Sequence, residues 1–395
     1  MSFQVLVIVL TCLLLAAKVW THWMVILFFR RPLPPPTPEV HFVSILQPIV
    51  SGDRTLASCL EQNLDLRSRH EVEYLWLLDE NDTEAARICE SLAAVHPRAN
   101  VRIVRVPLPD DRSSPKMVKL IEGVRRARGE ILCVLDDDTL VPDDGLEVCL
   151  SHLRDPDVGA AFGLPYYTHF EGFWSSLVAY YGNSQNLSTY IPYTMLIEPV
   201  TMCGMFYCFH RATYDAIGGF GGLESALVDD FAVARLFRAK GYRLVQTTVR
   251  NATRIHVEGC RAFLRTMHRW MIFARQTVMR ELPLPELAIV YSAGVGSVLG
   301  PLLLLAALAI QPSTWLAGIV AVYLAYHYLI FAHFNAAYLH HASPLSRSWL
   351  VVLMHVVLPL QLVVASLAPR RLYWRGQLIE VERGGGFRVL KRRAT

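Results

Sequence analysis

The sequence predicts an α/β domain held between membrane helices, and three observations carry that prediction. Apolar residues make up 53% of the 395-residue chain, and the mean hydropathy is positive. They concentrate in long runs at the two ends, while the middle has the mixed composition of a soluble domain. Within that middle, apolar strand-like runs alternate with helix-like stretches, the pattern of a parallel α/β sheet.

Residues 1–31 read as a transmembrane anchor, because Gln4 to Phe29 is apolar apart from Lys18 and His22. The run is too long for a cleaved signal, lacks a basic start and offers no small-x-small cleavage site. Arg30-Arg31 at its end places the next segment in the cytosol. Residues 32–40, with the prolines from Pro32 to Pro38, read as a stiff, extended linker.

The central domain is expected over 41–260, with strand-like runs at Phe42 to Val50, Tyr74 to Leu78, Val101 to Val106, Ile131 to Leu135 and Val158 to Leu164. Two of these runs end in acids, Asp79-Glu80-Asn81-Asp82 and Asp136-Asp137-Asp138. Ligands of such sheets bind beyond the carboxyl ends of the strands, so the acids sit where a ligand would.

Residues 261–285 read as interfacial helices and 286–369 as a C-terminal membrane bundle. The bundle holds three apolar runs, Leu287 to Ile310, Trp315 to Phe334 and Trp349 to Ala368, each near the ~20 residues needed to span. Three crossings would leave the basic tail, 370–395, on the outer face against the positive-inside rule. One run is therefore expected to be re-entrant or interfacial, and the middle one, with His327 and His333, is the first to suspect.

The net charge of +4 is modest, and the basic residues cluster beside the apolar runs at Arg30-Arg31, Arg370-Arg371 and Lys391 to Arg393. That is membrane topology and excludes a nucleic-acid partner. Eight cysteines without a CxxC pair or Cys/His ligand spacing fit a reduced, cytoplasmic domain without structural zinc. Arginine outnumbers lysine 33 to 5, which favours a bacterial inner membrane over the Golgi.

The acids carry the chemistry. In an extended chain Asp136 and Asp138 project to one side, so they are candidates to hold a divalent cation. A hard ion such as Mg2+ or Mn2+ takes one or two carboxylates and completes its shell with diphosphate oxygens. The same acids also fit a solvated turn after a buried strand. Asp229-Asp230 follows the glycine-rich stretch from Gly218 to Gly222 and opens the helix-like run Phe231 to Lys240. One reading is a helix cap and the other is a general base. His268-Arg269-Trp270, within Arg261 to Arg275, fits either an interfacial anchor or a pair that reaches a diphosphate and walls a pocket. Lys116, after Ser113-Ser114-Pro115, is a second cation for an anion or a lone surface lysine.

Taken in this order, the motifs resemble those of the GT-A glycosyltransferases of the large processive and lipid-modifying group (families 2 and 21), most closely the ceramide glucosyltransferases. Asp79 to Asp82, the DxD Asp136 to Asp138, and the acidic pair Asp229-Asp230 are similar to that family's three acidic regions. So are Gly163-Leu164-Pro165-Tyr166, Gly172-Phe173, Cys203-Gly204-Met205, Gly218-Gly219 and Tyr373-Trp374-Arg375-Gly376. The resemblance covers nearly the whole chain. It implies a nucleotide-sugar-binding GT-A domain and inverting transfer of a hexose, glucose from UDP-glucose, to a lipid hydroxyl, most closely that of ceramide. It also implies roles: Asp136 and Asp138 on the metal, and Asp79, Asp82, Lys116, Asp137, Gly204 and Arg269 on the donor. Asp230 would be the base beside its partner Asp229, and Trp270 and His268 would belong to the acceptor pocket.

Two departures stand out. The family's (Q/R)xxRW motif has Thr266 at its first position here, so Arg269-Trp270 carries over and the leading residue does not, unless Arg265 substitutes. The segment Asn183 to Tyr190, expected to be a loop, lacks the histidine of ceramide enzymes. Diacylglycerol or another membrane lipid is therefore the rival acceptor. A non-catalytic nucleotide-sugar sensor would keep the donor residues and lose the base. A transporter would carry its ionisable groups within the spans, whereas the aspartates here lie in the middle of the chain.

Overall fold

The computed structural model describes residues 3–276, 278–382 and 386–392; Arg393 of the basic tail lies outside them. The helices are α1 (Phe3–Phe29), α2 (Leu56–Leu64), α3 (Thr83–Val95), α4 (Pro115–Arg126), α5 (Gly145–Leu153), α6 (Gly172–Leu196), α7 (Arg211–Ala216), α8 (Asp229–Ala239), α9 (Cys260–Gln276), α10 (Val278–Glu281), α11 (Leu284–Ile310), α12 (Thr314–Ala337) and α13 (Leu350–Leu367). The strands of the central sheet are β1 (Phe42–Ile49), β2 (Glu71–Asp79), β3 (Val101–Val106), β4 (Ile131–Leu135), β5 (Thr139–Leu140), β6 (Val158–Tyr167), β7 (Phe206–His210) and β8 (Arg243–Thr253). The tail adds β9 (Arg371–Trp374), β10 (Gln377–Val381) and β11 (Phe387–Lys391).

The central sheet runs β3-β2-β1-β4-β7-β6-β8-β5. Strands β1 to β4 are parallel, as the alternation with helices predicts, and their near-continuous apolar sequences suit a sheet covered on both faces. The sheet as a whole is mixed, because β7 runs antiparallel to both β4 and β6, and β5 antiparallel to β8. The strand order turns around between β1 and β4, so a crevice opens at their carboxyl ends. Asn183–Tyr190 lies inside the 25-residue helix α6, not in a loop. The tail folds into a three-stranded meander, β11-β10-β9.

Helices α1, α12 and α13 are each long and apolar enough to cross a membrane by length and composition. Large apolar side chains stand exposed along them, among them Leu13, Trp20, Trp23, Leu329 and Leu360, a surface that lipid would cover. Helix α1 starts far from the domain, where Val7 packs with Leu304 of α11 and Leu316 and Val320 of α12. It ends with Phe28 in the domain core and Phe29 stacked on Tyr338 just after α12. The pair α11 and α12 thus runs away from the domain and back.

Helix α13 differs. The turn before it is tied to the domain through Arg347 Nη1, which donates to the Phe170 carbonyl (2.5 Å) and Ser176 Oγ (2.7 Å). Its end is tied to α9, where Arg275 Nη1 donates to the Ser366 carbonyl (3.1 Å) and His268 Nε2 lies 3.3 Å from the Pro369 carbonyl. Both ends therefore lie on the domain side. The tail does too, since Val389 N donates to the Asp111 carbonyl at 2.7 Å. Both ends of the last run are thus tied to the domain side, and the middle run, suspected from its histidines, is one unbroken 24-residue helix. Length and hydropathy cannot separate the two, because the difference lies in what the helix ends touch.

Candidate active site

The parallel strands deliver acids to one crevice. Strand β2 ends at Asp79, and β4 is followed by Asp136 to Asp138. Strand β7, paired antiparallel to β4, brings Gly204 and Met205 alongside, and Asp136 N donates to the Met205 carbonyl (2.9 Å). Helix α8 then begins with Asp229 and Asp230 in its first turn. The crevice holds a cavity of about 230 Å³ lined by Asp79, Asp82, Lys116, Lys119, Asp136, Asp137 and residues of the tail.

Lys116 sits in the first turn of α4, whose Ser114 caps the helix by accepting from Met117 N. Its ammonium lies 2.8 Å from Asp136 and 3.0 Å from Asp229, so one cation clamps the two acidic motifs together. Burial would pull the ammonium down, but the two carboxylates hold it well above its ordinary value. Lys119, one turn on, is buried and pairs with Asp79 Oδ2 and the Ile49 carbonyl, each at 2.9 Å.

Asp137 is 3% exposed and does not face the solvent. Its Oδ2 accepts from Val50 N (3.0 Å), and Arg375 of the tail grips both its oxygens, at 2.9 and 2.7 Å. Asp138 is pushed up to about 7 by burial and by its neighbours Asp137 and Asp136. Asp82 caps α3 by accepting from Ala85 N (3.0 Å) and also accepts from Ser51 N (2.9 Å). The acidic run is therefore an ordered, ion-paired cluster and not a solvated turn.

Asp230 differs from its neighbour. Asp229 pairs with Lys116, whereas Asp230 accepts from two backbone N–H groups, Gly204 (3.3 Å) and Phe231 (2.7 Å). Burial and the Asp229 charge push its carboxyl up to about 7. Gly204 makes room for it, since a Cβ there would stand 2.6 Å from the Asp230 Cβ.

Successive residues of α9 point about 100° apart, and they reach different surroundings. Arg269 faces the site, with its guanidinium 5.7 Å from the Trp374 ring; burial and Arg375 pull it down to about 10. Trp270 lies against Tyr181 (5.9 Å, stacked) and Tyr167 (6.0 Å). His268 turns to the Pro369 carbonyl at the end of α13, so the structure does not bring it to the acids. Arg265 lies over Tyr373 at 4.3 Å, in the tail. Lys119 is absent from the candidates that the sequence offers, and Arg375 enters there only within the stretch Tyr373-Trp374-Arg375-Gly376, with no role of its own. Spacing to Lys116 on one helix face signals Lys119, while the role of Arg375 depends on its contact with Asp137, more than 200 residues away in sequence.

The carboxyls of Asp136, Asp137, Asp138, Asp229 and Asp230 outnumber the cations that face them, Lys116, Arg269 and Arg375. Among the described residues no group of three His, Cys, Asp or Glu side chains converges on one point. That donor set fits an ion such as Mg2+ or Mn2+, which is held by one or two carboxylates and completed by phosphate oxygens, and not a closed protein cage.

Comparison with known proteins shows the fold and the family. A mannosyltransferase from Pyrobaculum calidifontis, solved with GDP-Man and Mn2+, superposes with a TM-score of 0.54 at 18% identity, over 89% of this chain and 98% of that one. That likeness establishes a GT-A-like fold. Ceramide glucosyltransferase 1 of Caenorhabditis elegans is 22% identical over 240 residues, which span 60% of this chain and half the length of that relative. The family model for glycosyl transferase family 21 matches residues 3–387, from the first membrane helix into the last strand of the tail. With the acids, the sheet and both membrane segments inside that match, the chain belongs to glycosyl transferase family 21 and is related to ceramide glucosyltransferase.

Proposed function

We propose that this glycosyltransferase moves glucose from UDP-glucose to the hydroxyl of a membrane lipid, in the first place ceramide, with inversion at the anomeric carbon. The observation that carries this reading is the pairing of a cation-lined crevice with Asp230, a carboxyl at about 7 that has no ion-pair partner among the described residues. The crevice residues Asp79, Asp82, Lys116, Asp137, Gly204 and Arg269 make up the donor side. Asp136 and Asp138 would hold Mg2+ or Mn2+, which when bound neutralises the diphosphate leaving group. Asp230 takes the proton of the acceptor hydroxyl as its oxygen attacks the anomeric carbon, and the bond to the diphosphate breaks on the opposite face. Trp270, on its aromatic bed of Tyr181 and Tyr167, walls the acceptor side, with His268 at its outer rim.

Fixing a diffusing donor and a lipid in one orientation supplies much of the acceleration. The lipid enters laterally across the exposed apolar face of the membrane helices, and the domain stands on the cytosolic side of a bacterial inner membrane. The absence of the expected histidine in Asn183–Tyr190 keeps diacylglycerol as the second acceptor.

The test is incorporation of labelled sugar by purified protein given UDP-glucose, other UDP-hexoses and GDP-mannose against a panel of ceramide, diacylglycerol and other lipids. Label should appear on ceramide from UDP-glucose and disappear with EDTA. Label on no lipid from any donor would sink the reading.

A further inference from the structure

The tail holds a device that the acidic motifs do not explain. Strands β9 and β10 join through a two-residue turn, Arg375-Gly376, with Trp374 opposite Gln377. Both turn residues have positive φ, 47° for Arg375 and 78° for Gly376. Turns of this kind favour Asn-Gly or Asp-Gly, because a long side chain is strained in the left-handed region. An arginine kept there has a task that outweighs its conformational cost.

What it does is visible in its contacts. The guanidinium grips both oxygens of buried Asp137 and lies 4.0 Å from Asp138. It also lines the cavity, together with Trp374, Gln377 and Arg392 of the same tail and Lys116 and Lys119 of α4. A guanidinium has five N–H donors in a planar fork, more than one carboxylate consumes.

The meander is not loosely placed. Its apolar face, with Leu372, Ile379, Val381, Phe387 and Val389, packs on Ile272 of α9 and on Leu227, two residues before Asp229. Its far edge is fastened by Val389 N to the Asp111 carbonyl (2.7 Å) and by Arg392 to the Pro109 carbonyl (2.5 Å). One wall of the cavity therefore belongs to the last strands of the chain.

We propose that Arg375 is a donor-site residue supplied by the tail: it fixes Asp137 and presents its remaining N–H groups to the diphosphate of a nucleoside diphosphate sugar, so that the donor pocket is complete only with the meander docked. The inference rests on the reading of this cavity as the donor pocket. Its test is the affinity of the full-length protein for UDP and for GDP, with Mn2+ present, measured by calorimetry. Arg375→Ala should weaken nucleoside diphosphate binding on the order of 10- to 100-fold, the worth of charged hydrogen bonds, while Arg375→Lys recovers part of it. Val389→Pro removes the N–H that fastens β11 and leaves Arg375 in the sequence. It should weaken binding in the same direction, with the melting temperature of each variant read alongside. A much smaller loss is expected for the nucleoside monophosphate, a contrast that general unfolding would not produce. Wild-type protein that binds neither nucleotide overturns the donor-pocket reading and this inference with it. Wild-type binding matched by Arg375→Ala overturns this inference alone, as does an equal loss for mono- and diphosphate.

Discussion

At the scale of residues, the site assigns two neighbouring carboxylates to different work. Asp229 is held by Lys116, while Asp230 points at backbone N–H groups and is pushed up to about 7 by burial and by Asp229. If Asp230 is the base, Asp230→Asn should lower turnover roughly 10²- to 10⁴-fold with little change in nucleotide affinity. Asp229→Asn should instead weaken the Lys116 clamp and affect donor binding. Measuring turnover and nucleotide binding for both decides between them; an active Asp230→Asn beside a dead Asp229→Asn reverses the assignment. The pH dependence has a definite sign. A base must be ionised, so turnover should rise as the pH passes through about 7. Stability runs the other way: a carboxyl raised above its unfolded value favours the folded state below the unfolded pKa, and that contribution is lost as pH rises through the folded one. Asp230→Asn should therefore melt higher than wild type at about pH 8 and no higher at about pH 4. A uniform shift at both would show that the effect is not the charge. Gly204→Ala should lower turnover with the fold intact, because the added methyl meets Asp230; unchanged kinetics would remove Asp230's placement from the mechanism.

At the scale of elements, the acids were legible because a strand ending in Asp-Asp-Asp and a helix opening on Asp-Asp are local patterns. Lys116 was legible as a candidate, since a lysine just inside a capped helix start points at the sheet's carboxyl edge. The separate fates of His268, Arg269 and Trp270 were not, because composition does not say which way each helix face turns. Nor were β7, β8 and the tail meander foreseen, as their pairing depends on partners far along the chain. Helix α13 shows the same limit, since its hydropathy is that of a spanning helix while its ends are both tied to the domain side. This predicts labelling by an impermeant maleimide, in protein whose exposed Cys12 and Cys260 are replaced. Ser346→Cys and Arg392→Cys should react from the cytosolic side and Gln311→Cys, between α11 and α12, from the other. Ser346 and Arg392 reacting from opposite sides would make α13 a true crossing.

At the scale of the whole molecule, the central domain, the apolar helices and the tail meet around one acidic crevice. The domain contributes the acidic crevice, α9 carries Arg269 and Trp270 beside it, and the tail closes one wall. The plan of anchor, domain and bundle was readable from the distribution of apolar residues. The return of the tail was readable from the charge of its flanks and from the family-like stretch around Trp374, and the contacts of Val389 and Arg375 supply its physical cause. In the proposed reaction a single carboxylate base opposite a leaving group that a metal would neutralise permits one displacement, and one displacement inverts the sugar. The most direct measurement is the anomeric configuration of the glycolipid made from α-linked UDP-glucose, read from the proton coupling at the anomeric carbon by NMR. Inversion by a single displacement gives a β-glycoside as the sole product; an α-glycoside would contradict it.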